Sequence, residues 1–309
     1  ITASMTLTAA MSPVTMSCQT FVKNGATLTI EAGVTILSPK TGSDGKAPAL
    51  VIEKGAKIMA MGTASAPITF TTSEATKAEG SWGGLIILGN APISTTGGSK
   101  SVEGLPAGEG AYGGNNPTDS SGTLKYVRVW YGGSVIGKDN EINGITFAGV
   151  GSGTTITNIE VAFNKDDGVE FFGGTAQVKY LSLVANGDDS IDTDEGYQGK
   201  IQHAFVMLGS YGHHGTEMDS KTNGDVNSKP RSFPQLYNAL FVGQKGIPAA
   251  KLTAAASTDD SSSGLMRLRE GTGGQFGNLI LTNVLNVGVK NDDCGSETKT
   301  QTGPQSGTD

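Results

Sequence analysis

Acidic side chains recur at a fixed interval near the middle of this 309-residue chain. Two sets with the same internal spacing lie 22 positions apart: Asp166, Asp167 and Glu170, then Asp188, Asp189 and Asp192. If the two sets lie side by side, like charges face each other, so a carboxylate must take up a proton or share a cation with its neighbour. A cation held by carboxylate oxygens is a hard one, and Ca²⁺ is the first choice.

The predicted metal site extends beyond these two sets. Its full complement is Asp166, Asp167, Glu170, Asp188, Asp189, Asp192, Asp194, Glu217 and Asp219. The alternative is that the aspartates only cap turns, with their charge met by Lys165, Lys179 and Lys200. The sequence contains neither the glycine–aspartate nonapeptide of calcium-binding β-rolls nor an EF-hand loop, so no standard motif decides between the two interpretations.

The same interval runs through the apolar residues that must position these carboxylates. Ile156, Val178 and Ile201 open three similar segments, spaced 22 and then 23 residues apart, and a period of this size is typical of a solenoid. The segments TNIEVAF, KYLSLVA and QHAFVML are short, rich in β-branched and aromatic residues, and bounded by Gly, Asn and Asp. They show no helical period. The sequence therefore predicts an all-β chain folded as a parallel β-helix, with coils stacked ~4.8 Å apart.

The coils are predicted to run from residue 21 to residue 290, with side loops inserted at about 94–123, 209–232 and 245–264. Residues 1–20 do not match the repeat and form either a cap on the first coil or a strand donated to another molecule. Residues 291–309 form a C-terminal tail. The early coils are expected to be longer than the central ones, because Gly25-Ala26 and Gly55-Ala56 open similar phrases 30 positions apart.

The composition argues against some classes of binding partner. The net charge is −7 and the 22 lysines and arginines form no cluster, which argues against nucleic acid and anionic membranes as partners. No apolar run reaches the ~18 residues of a transmembrane helix. Two cysteines, few charges and abundant Thr, Ser and Gly favour an exported protein.

The two cysteines flank the predicted coils. About ten coils at ~4.8 Å would separate Cys18 from Cys294 by ~45 Å, whereas a disulfide needs Cα atoms within ~7 Å. A disulfide between Cys18 of one copy and Cys294 of the next would give a head-to-tail filament. The alternatives are internal pairing in a chain that folds back, or two free thiols.

Catalysis is a second hypothesis. Asp188, Asp189, Asp192 and Asp194 supply acid and base for glycoside hydrolysis, and a Ca²⁺-dependent polysaccharide lyase would need a basic residue. The candidate bases are Lys200, His203, His213, His214 and Arg231.

A glycan-binding module is a third hypothesis, in which the loops 94–123 and 209–232 hold the ligand. The aromatic residues Trp82, Tyr112, Trp130 and Tyr131 would stack on sugar rings if exposed, and otherwise fill the core. His213 and His214, with Glu217 and Asp219, form either a Zn²⁺ site or a solvated pair.

Five phrases carry a resemblance to a known family: GSWGGLIILGNAPI, LKYVRVWYGG, DNEINGITFAGVGSGTTI, NKDDGVEFFGGT and NGDDSIDTDEGYQGKIQ. Together they resemble secreted or lipid-anchored β-helix surface proteins of Gram-negative bacteria, many of unassigned function and some carrying type IX secretion sorting domains. The resemblance implies export and a right-handed parallel β-helix, and it implies no particular activity.

The sequence as a whole favours an extracellular structural or adhesive protein of the bacterial cell surface, with calcium-stabilised coils. Its expected partners are further copies of itself and cell-surface or matrix glycans. The lyase, the hydrolase and the glycan-binding module are the alternatives.

Overall fold

The computed structural model describes residues 1–292 except for 103, 138–139, 211, 221–224, 245–263 and 285–286. The described chain is a right-handed parallel β-helix, as predicted, made of two large parallel sheets and two small hairpins. A single 3₁₀ turn occupies Ala9–Met11. Within the described ranges, no helix is long and apolar enough to cross a membrane.

Sheet A has twelve strands: β1 (Met5–Leu7), β2 (Val14–Thr15), β4 (Thr27–Ile30), β5 (Thr35–Ser38), β7 (Lys57–Met61), β8 (Ile68–Thr72), β12 (Gly122–Trp130), β16 (Thr155–Ala162), β18 (Gln177–Val184), β20 (Lys200–Met207), β22 (Gln235–Val242) and β24 (Gln275–Thr282). Sheet B has nine: β3 (Thr20–Val22), β6 (Leu50–Ile52), β9 (Leu85–Leu88), β15 (Ile145–Ala148), β17 (Val169–Phe172), β19 (Ile191–Asp194), β21 (Thr216–Met218), β23 (Gly264–Leu268) and β25 (Val287–Asn291). The hairpins are β10 (Lys100–Ser101) with β11 (Ala111–Tyr112), and β13 (Val135–Gly137) with β14 (Asn140–Glu141).

The predicted register is confirmed in both sheets. Ile156 pairs with Val178 in sheet A, and Val178 pairs with Ile201. The early coils are longer, as expected, since Thr27 pairs with Lys57, 30 positions on. Most of the shortening lies in the corner between the two sheets, which spans 39–49 in the first coil and 163–168 in the central one. In addition, a turn between two separate strands of sheet A is replaced by one residue with left-handed φ inside a continuous strand. The residues in this position are Tyr126, Asn158, Tyr180, His203, Asn238 and Asn278.

The core runs along the solenoid axis and is filled by the inward side chains of both sheets. Phe147, Phe171 and Tyr197 stack along it, with ring centroids 5.2 and 4.5 Å apart. A second apolar cluster lies on the outer face of sheet B, where Ile86 and Leu88 pack against Ile93 and Tyr112. Strand β9 is therefore buried on both faces, as its continuous apolar sequence predicts.

Two of the predicted side loops contain strands. The stretch 94–123 includes the hairpin β10/β11, and its last two residues already belong to β12. The stretch 209–232 contains β21, a full member of sheet B that pairs with β19 and β23. Short polar strands such as TEM lack the apolar run by which strands are recognised in a sequence. Most of the third stretch, 245–263, lies outside the described residues, and so does 293–309 of the predicted tail.

The N-terminal residues pair within the same chain. Strand β1 adds to β4 and strand β2 to β5, both in parallel. The N-terminal amine of Ile1 donates to the carbonyl oxygen of Phe21 at 2.7 Å. These contacts extend sheet A by one coil at its N-terminal end.

Candidate functional site

A cleft of about 370 Å³ lies on the outer face of sheet B. Its floor is formed by outward side chains of β15, β17, β19 and β21, among them Thr146, Glu170 and Asp192. One wall is made of the corners that precede β17 and β19, and the other of the hairpin β10/β11 with Lys100 and Tyr112. We call this the acidic cleft, because seven carboxylates line it: Asp166, Asp167, Glu170, Asp188, Asp189, Asp192 and Glu217.

The floor carries a column of stacked acidic residues. Glu170 pairs in register with Asp192, and Asp192 with Glu217. Register in a parallel sheet places such side chains ~4.8 Å apart on the same face. Asn143 donates an amide hydrogen bond to Glu170. The strand register thus brings together carboxylates that lie 22 and 25 residues apart in the sequence.

Two arginines close the C-terminal end of this column. Arg267 approaches Glu217 at 3.0 Å (Nη1 to Oε1), and Arg269 approaches it at 2.7 Å (Nη2 to Oε2). Arg269 also binds Asp219, with Nε 2.7 Å from Oδ1. Arginine side chains therefore lie against both Glu217 and Asp219, and their part in a metal site stays a prediction.

The corners are tied together by hydrogen bonds from one coil to the next. Within the first corner, Asn164 donates from Nδ2 to the carbonyl oxygen of Asp167 at 2.7 Å. The Asp167 carboxylate accepts from the backbone N–H of Asp189 at 3.0 Å, and the Asp189 carboxylate accepts from the N–H of His214 at 2.7 Å. These two aspartates therefore have the capping role that the alternative interpretation gave them. Of the three lysines of that interpretation, Lys165 lies in the corner itself, next to Asp166, whereas Lys179 and Lys200 belong to strands of sheet A.

Burial and mutual repulsion set the protonation of the cleft. Burial raises the pKa of Asp167, Glu170 and Asp192 well above the usual range, and neighbouring carboxylates raise it further. Burial also raises the pKa of Asp194 to about 7 and that of Glu217 to about 8. For Asp189 burial acts in the same direction, but His214 and His213 outweigh it and lower the pKa.

Three groups of side chains each bring potential metal ligand atoms within 4.8 Å of one another. Two are purely acidic: Asp166 with Asp167 and Asp188, and Asp167 with Glu170 and Asp192. The third contains Asp189, His213 and His214. In the second group, Oδ1 of Asp192 is buried and makes no hydrogen bond within the described residues. Such an oxygen is costly to bury as an anion without a cation or a proton.

The remaining candidates are dispersed. Asp194 accepts a hydrogen bond from the N–H of Glu195 and does not line the cleft. Of the candidate bases, His203 lies on sheet A, stacked on Tyr180, and Arg231 donates to the carbonyl oxygen of Gly271. His213 and His214 adjoin the acidic cleft, and His214 is completely buried, so the pair is not solvated as the sequence suggested.

The aromatic candidates do not form a sugar platform in the cleft. Trp82 is buried in the core, and Tyr112 is buried under the hairpin, where its hydroxyl donates to Glu195 at 2.7 Å. Trp130 and Tyr131 are half-buried at the end of β12, on sheet A. Cys18 lies near the N-terminal end of the core and forms no disulfide with another described residue, and Cys294 lies outside the described residues.

Sequence reasoning missed four residues of the site. Lys100 lies in a segment that does not repeat, so no periodic signal marks it. Asn143 was detectable in principle, because NGITFAG matches DGVEFFG 24 positions on and Ile145 pairs with Val169. Arg267 and Arg269 were detectable in principle, because the segment LMRLRE continues the column of TEMD one coil further on.

One family model, described as a pectate-lyase like beta helix domain, matches residues 1–306. No curated protein and no solved structure matches the chain. The family match agrees with the β-helix part of the resemblance inferred from the sequence. Location on a Gram-negative surface and sorting by a secretion system remain predictions.

Proposed function

The chain belongs to the family of pectate-lyase-like β-helix domains, and from this premise we propose that it is an extracellular protein whose acidic cleft binds acidic polysaccharide through Ca²⁺. The observation that carries the proposal is the group Asp167, Glu170 and Asp192. Their ligand atoms lie within 4.8 Å of one another, and one oxygen of Asp192 is buried without a partner. Three carboxylates at this distance need protons or a shared cation, and Ca²⁺ supplies the charge with oxygen-only ligands.

The coordination chemistry supports a ligand beyond the protein. Ca²⁺ takes roughly six to eight oxygens, and each acidic group of the cleft offers three side chains, so positions are left for water or for ligand oxygens. Uronate sugars carry both carboxylate and hydroxyl oxygens. A protein of net charge −7 would repel such a polyanion unless a cation bridged the two, and Lys100 on the opposite wall adds one positive charge. The cleft volume of about 370 Å³ is within the range of small-ligand sites.

Calorimetry on metal-stripped protein tests the proposal. We expect Ca²⁺ to bind, and oligogalacturonate to bind only when Ca²⁺ is present, while a neutral glucan of equal length does not bind. Asp192→Asn should weaken Ca²⁺ binding by at least roughly tenfold, because it removes one charged ligand. The matched control is Glu160→Gln, which removes one negative charge from the half-exposed surface of sheet A. Oligogalacturonate binding that survives both Ca²⁺ removal and Asp192→Asn would refute the proposal.

Hydrolysis is a second candidate, favoured by one observation. The carboxyl groups of Asp167, Glu170 and Asp192 lie close together, and burial raises the pKa of all three, so protonated and ionised carboxyls can coexist. Carboxyl pairs ~5 Å apart are typical of retaining glycosidases. New reducing ends on neutral glycans, formed without Ca²⁺ and lost in Asp192→Asn, would favour hydrolysis over binding.

A head-to-tail filament is the structural role that the sequence predicted. One feature favours it: an apolar pocket of about 250 Å³ at the N-terminal end of the solenoid, lined by Leu7, Val14, Phe70 and Cys18 among others. Electrophoresis of native material without reductant tests it, since a ladder that disappears with reductant is expected. If only monomer is seen, the protein does not form a disulfide-linked filament.

A further inference from the structure

His213 and His214 occupy the same place in their coil that two aspartates occupy in each of the two preceding coils. Thr216 pairs with Ile191, and Ile191 pairs with Val169. In each of these coils the two residues at positions −3 and −2 from the paired residue form the corner, so the three corner pairs lie one above another. The corner pairs are Asp166-Asp167, Asp188-Asp189 and His213-His214. Backbone hydrogen bonds fix the third pair on the second, with the N–H of His213 donating to the Asp188 carbonyl oxygen at 2.9 Å.

The change of residue type changes the ligand chemistry between coils. Between the first two corner pairs all donors are carboxylate oxygens, whereas between the second and the third they are imidazole nitrogens and carboxylate oxygens. We propose that His213, His214 and Asp189 form a second metal site that takes a borderline divalent ion of the Zn²⁺ class, made of residues that belong to neither acidic group. Mixed nitrogen and oxygen ligands favour such ions over Ca²⁺.

The ligand-atom distances measured from Asp189 to the two histidines lie on either side of the value that a tetrahedral site requires. Zn–N and Zn–O distances near 2.0–2.1 Å imply ligand atoms roughly 3.3 Å apart. Nδ1 of His213 lies 3.1 Å from Oδ1 of Asp188 and 3.7 Å from Oδ1 of Asp189. Nδ1 of His214 lies 2.7 Å from the same Asp189 oxygen. To admit an ion, this second pair must separate by about half an ångström, and the pair of His213 and Asp189 must approach by roughly the same amount. The Glu217 carboxylate, 3.7 Å from His214, is an additional acceptor nearby.

Burial and the strand register hold these ligands in place before any ion binds. His214 is completely buried, Asp189 is 5 % exposed at its side chain and His213 is 20 % exposed, so the ion would have one side open to solvent. The competing interpretation is a metal-free ion pair between protonated histidine and Asp189. The two interpretations differ in whether the intact chain takes up a stoichiometric ion.

Zn²⁺ titration of the full chain, followed by calorimetry in the presence of saturating Ca²⁺, tests the proposal. We expect one Zn²⁺ per chain, not displaced by Ca²⁺, and a Co²⁺ complex with the strong visible absorption of tetrahedral coordination. His213→Ala should weaken Zn²⁺ binding by at least roughly 10–100-fold, since loss of an outer hydrogen-bond partner alone costs that much. His203→Ala is the matched control, because it removes the third histidine of the chain from the outer face of sheet A.

Two further measurements distinguish a loss of folding from a loss of metal binding. The melting temperatures of both variants without metal show whether the fold is intact, and Asp189→Asn gives a second ligand change if His213→Ala does not fold. Zn²⁺ uptake that is absent in the native chain, equal in His213→Ala, or abolished by Ca²⁺ would overturn the proposal. Each of these outcomes leaves the Ca²⁺ titration of Asp192→Asn unaffected, so the two proposals can fail independently.

Discussion

Glu170 and Asp192 are directly opposite each other on adjacent parallel strands, with both side chains on the outer face of sheet B. Like charges in this relationship destabilise a sheet. Their position inside a cleft makes the effect larger, since burial removes the water that would screen them, and burial raises the pKa of both groups. The facing carboxylates lower the stability of the free protein, and a role in binding a ligand would explain why they are there.

Asp192→Asn is expected to have opposite effects with and without Ca²⁺. In metal-free protein the variant should be more stable than the native chain by on the order of 1 kcal/mol, because one of two facing negative charges is gone. With Ca²⁺ in excess the order should reverse, because the native chain alone gains the full binding free energy. Thermal melts of both proteins in both conditions check this. A variant less stable than the native chain in both conditions would contradict the stacked-charge explanation.

Stability of the metal-free protein should fall as pH rises. Burial raises the folded-state pKa of Asp194 to about 7 and that of Glu217 to about 8, from ordinary values of 3.8 and 4.5. The folded state therefore binds more protons than the unfolded state between pH ~4 and pH ~8, and the free energy of unfolding decreases with pH across that window. We expect a higher melting temperature at pH 5 than at pH 8 in metal-stripped protein. Saturating Ca²⁺ should reduce the difference between the melting temperatures at the two pH values. A melting temperature that rises with pH would show that these carboxyls are ionised across the whole window.

The repeat made the fold and part of the site predictable. Glu170 and Asp192 were placed together because the 22-residue interval, shared with Ile156 and Val178, leaves only one register for the apolar side chains. The equivalence of the His213-His214 pair was missed, because its interval is 25 residues and Thr216 replaces the apolar Val169 and Ile191. A polar strand gives no hydrophobic period to align.

The wall of the cleft was not predictable from local sequence. Lys100 and Tyr112 reach the site because the hairpin β10/β11 folds back on sheet B and both side chains bind Glu195, 95 and 83 residues away. No periodicity encodes such a contact, which depends on long-range packing of Ile93 and Val102 in the second apolar cluster.

Arg269→Ala should lower the free energy of unfolding by more than the loss of an exposed arginine does. Arg269 pairs with both Glu217 and Asp219, which are nearly buried, so its removal takes the paired arginine from Asp219 and leaves Glu217 with Arg267 alone. Breaking a fully buried pair costs ~3–5 kcal/mol, and because Arg269 is about one-third exposed we expect ~2–4 kcal/mol from urea unfolding.

Arg128→Ala is the control for this measurement. Arg128 is on the outer face of sheet A, 4.0 Å from Glu160, and each of these side chains is more than one-third exposed. Exposed pairs contribute ~0–1 kcal/mol. Equal losses in Arg128→Ala and Arg269→Ala would show that the arginines at the end of the acidic column stabilise the protein no more than surface residues do.

Tyr112→Phe should loosen the hairpin that forms one wall of the cleft. The Tyr112 hydroxyl donates to the buried carboxylate of Glu195 at 2.7 Å, and Lys100 binds the other oxygen at 2.5 Å. Loss of a hydrogen bond to a charged, buried acceptor costs ~1.5–3 kcal/mol. Local opening would then expose the stretch 94–121 to protease, so we expect faster cleavage there with little change in global unfolding. Tyr237→Phe is the matched control, because its hydroxyl bonds Gln275 on the exposed face of sheet A. Cleavage of both variants at the native rate in this stretch would contradict the prediction. The hairpin would then be held by its apolar contacts with Ile86 and Leu88 and not by the Tyr112–Glu195 hydrogen bond.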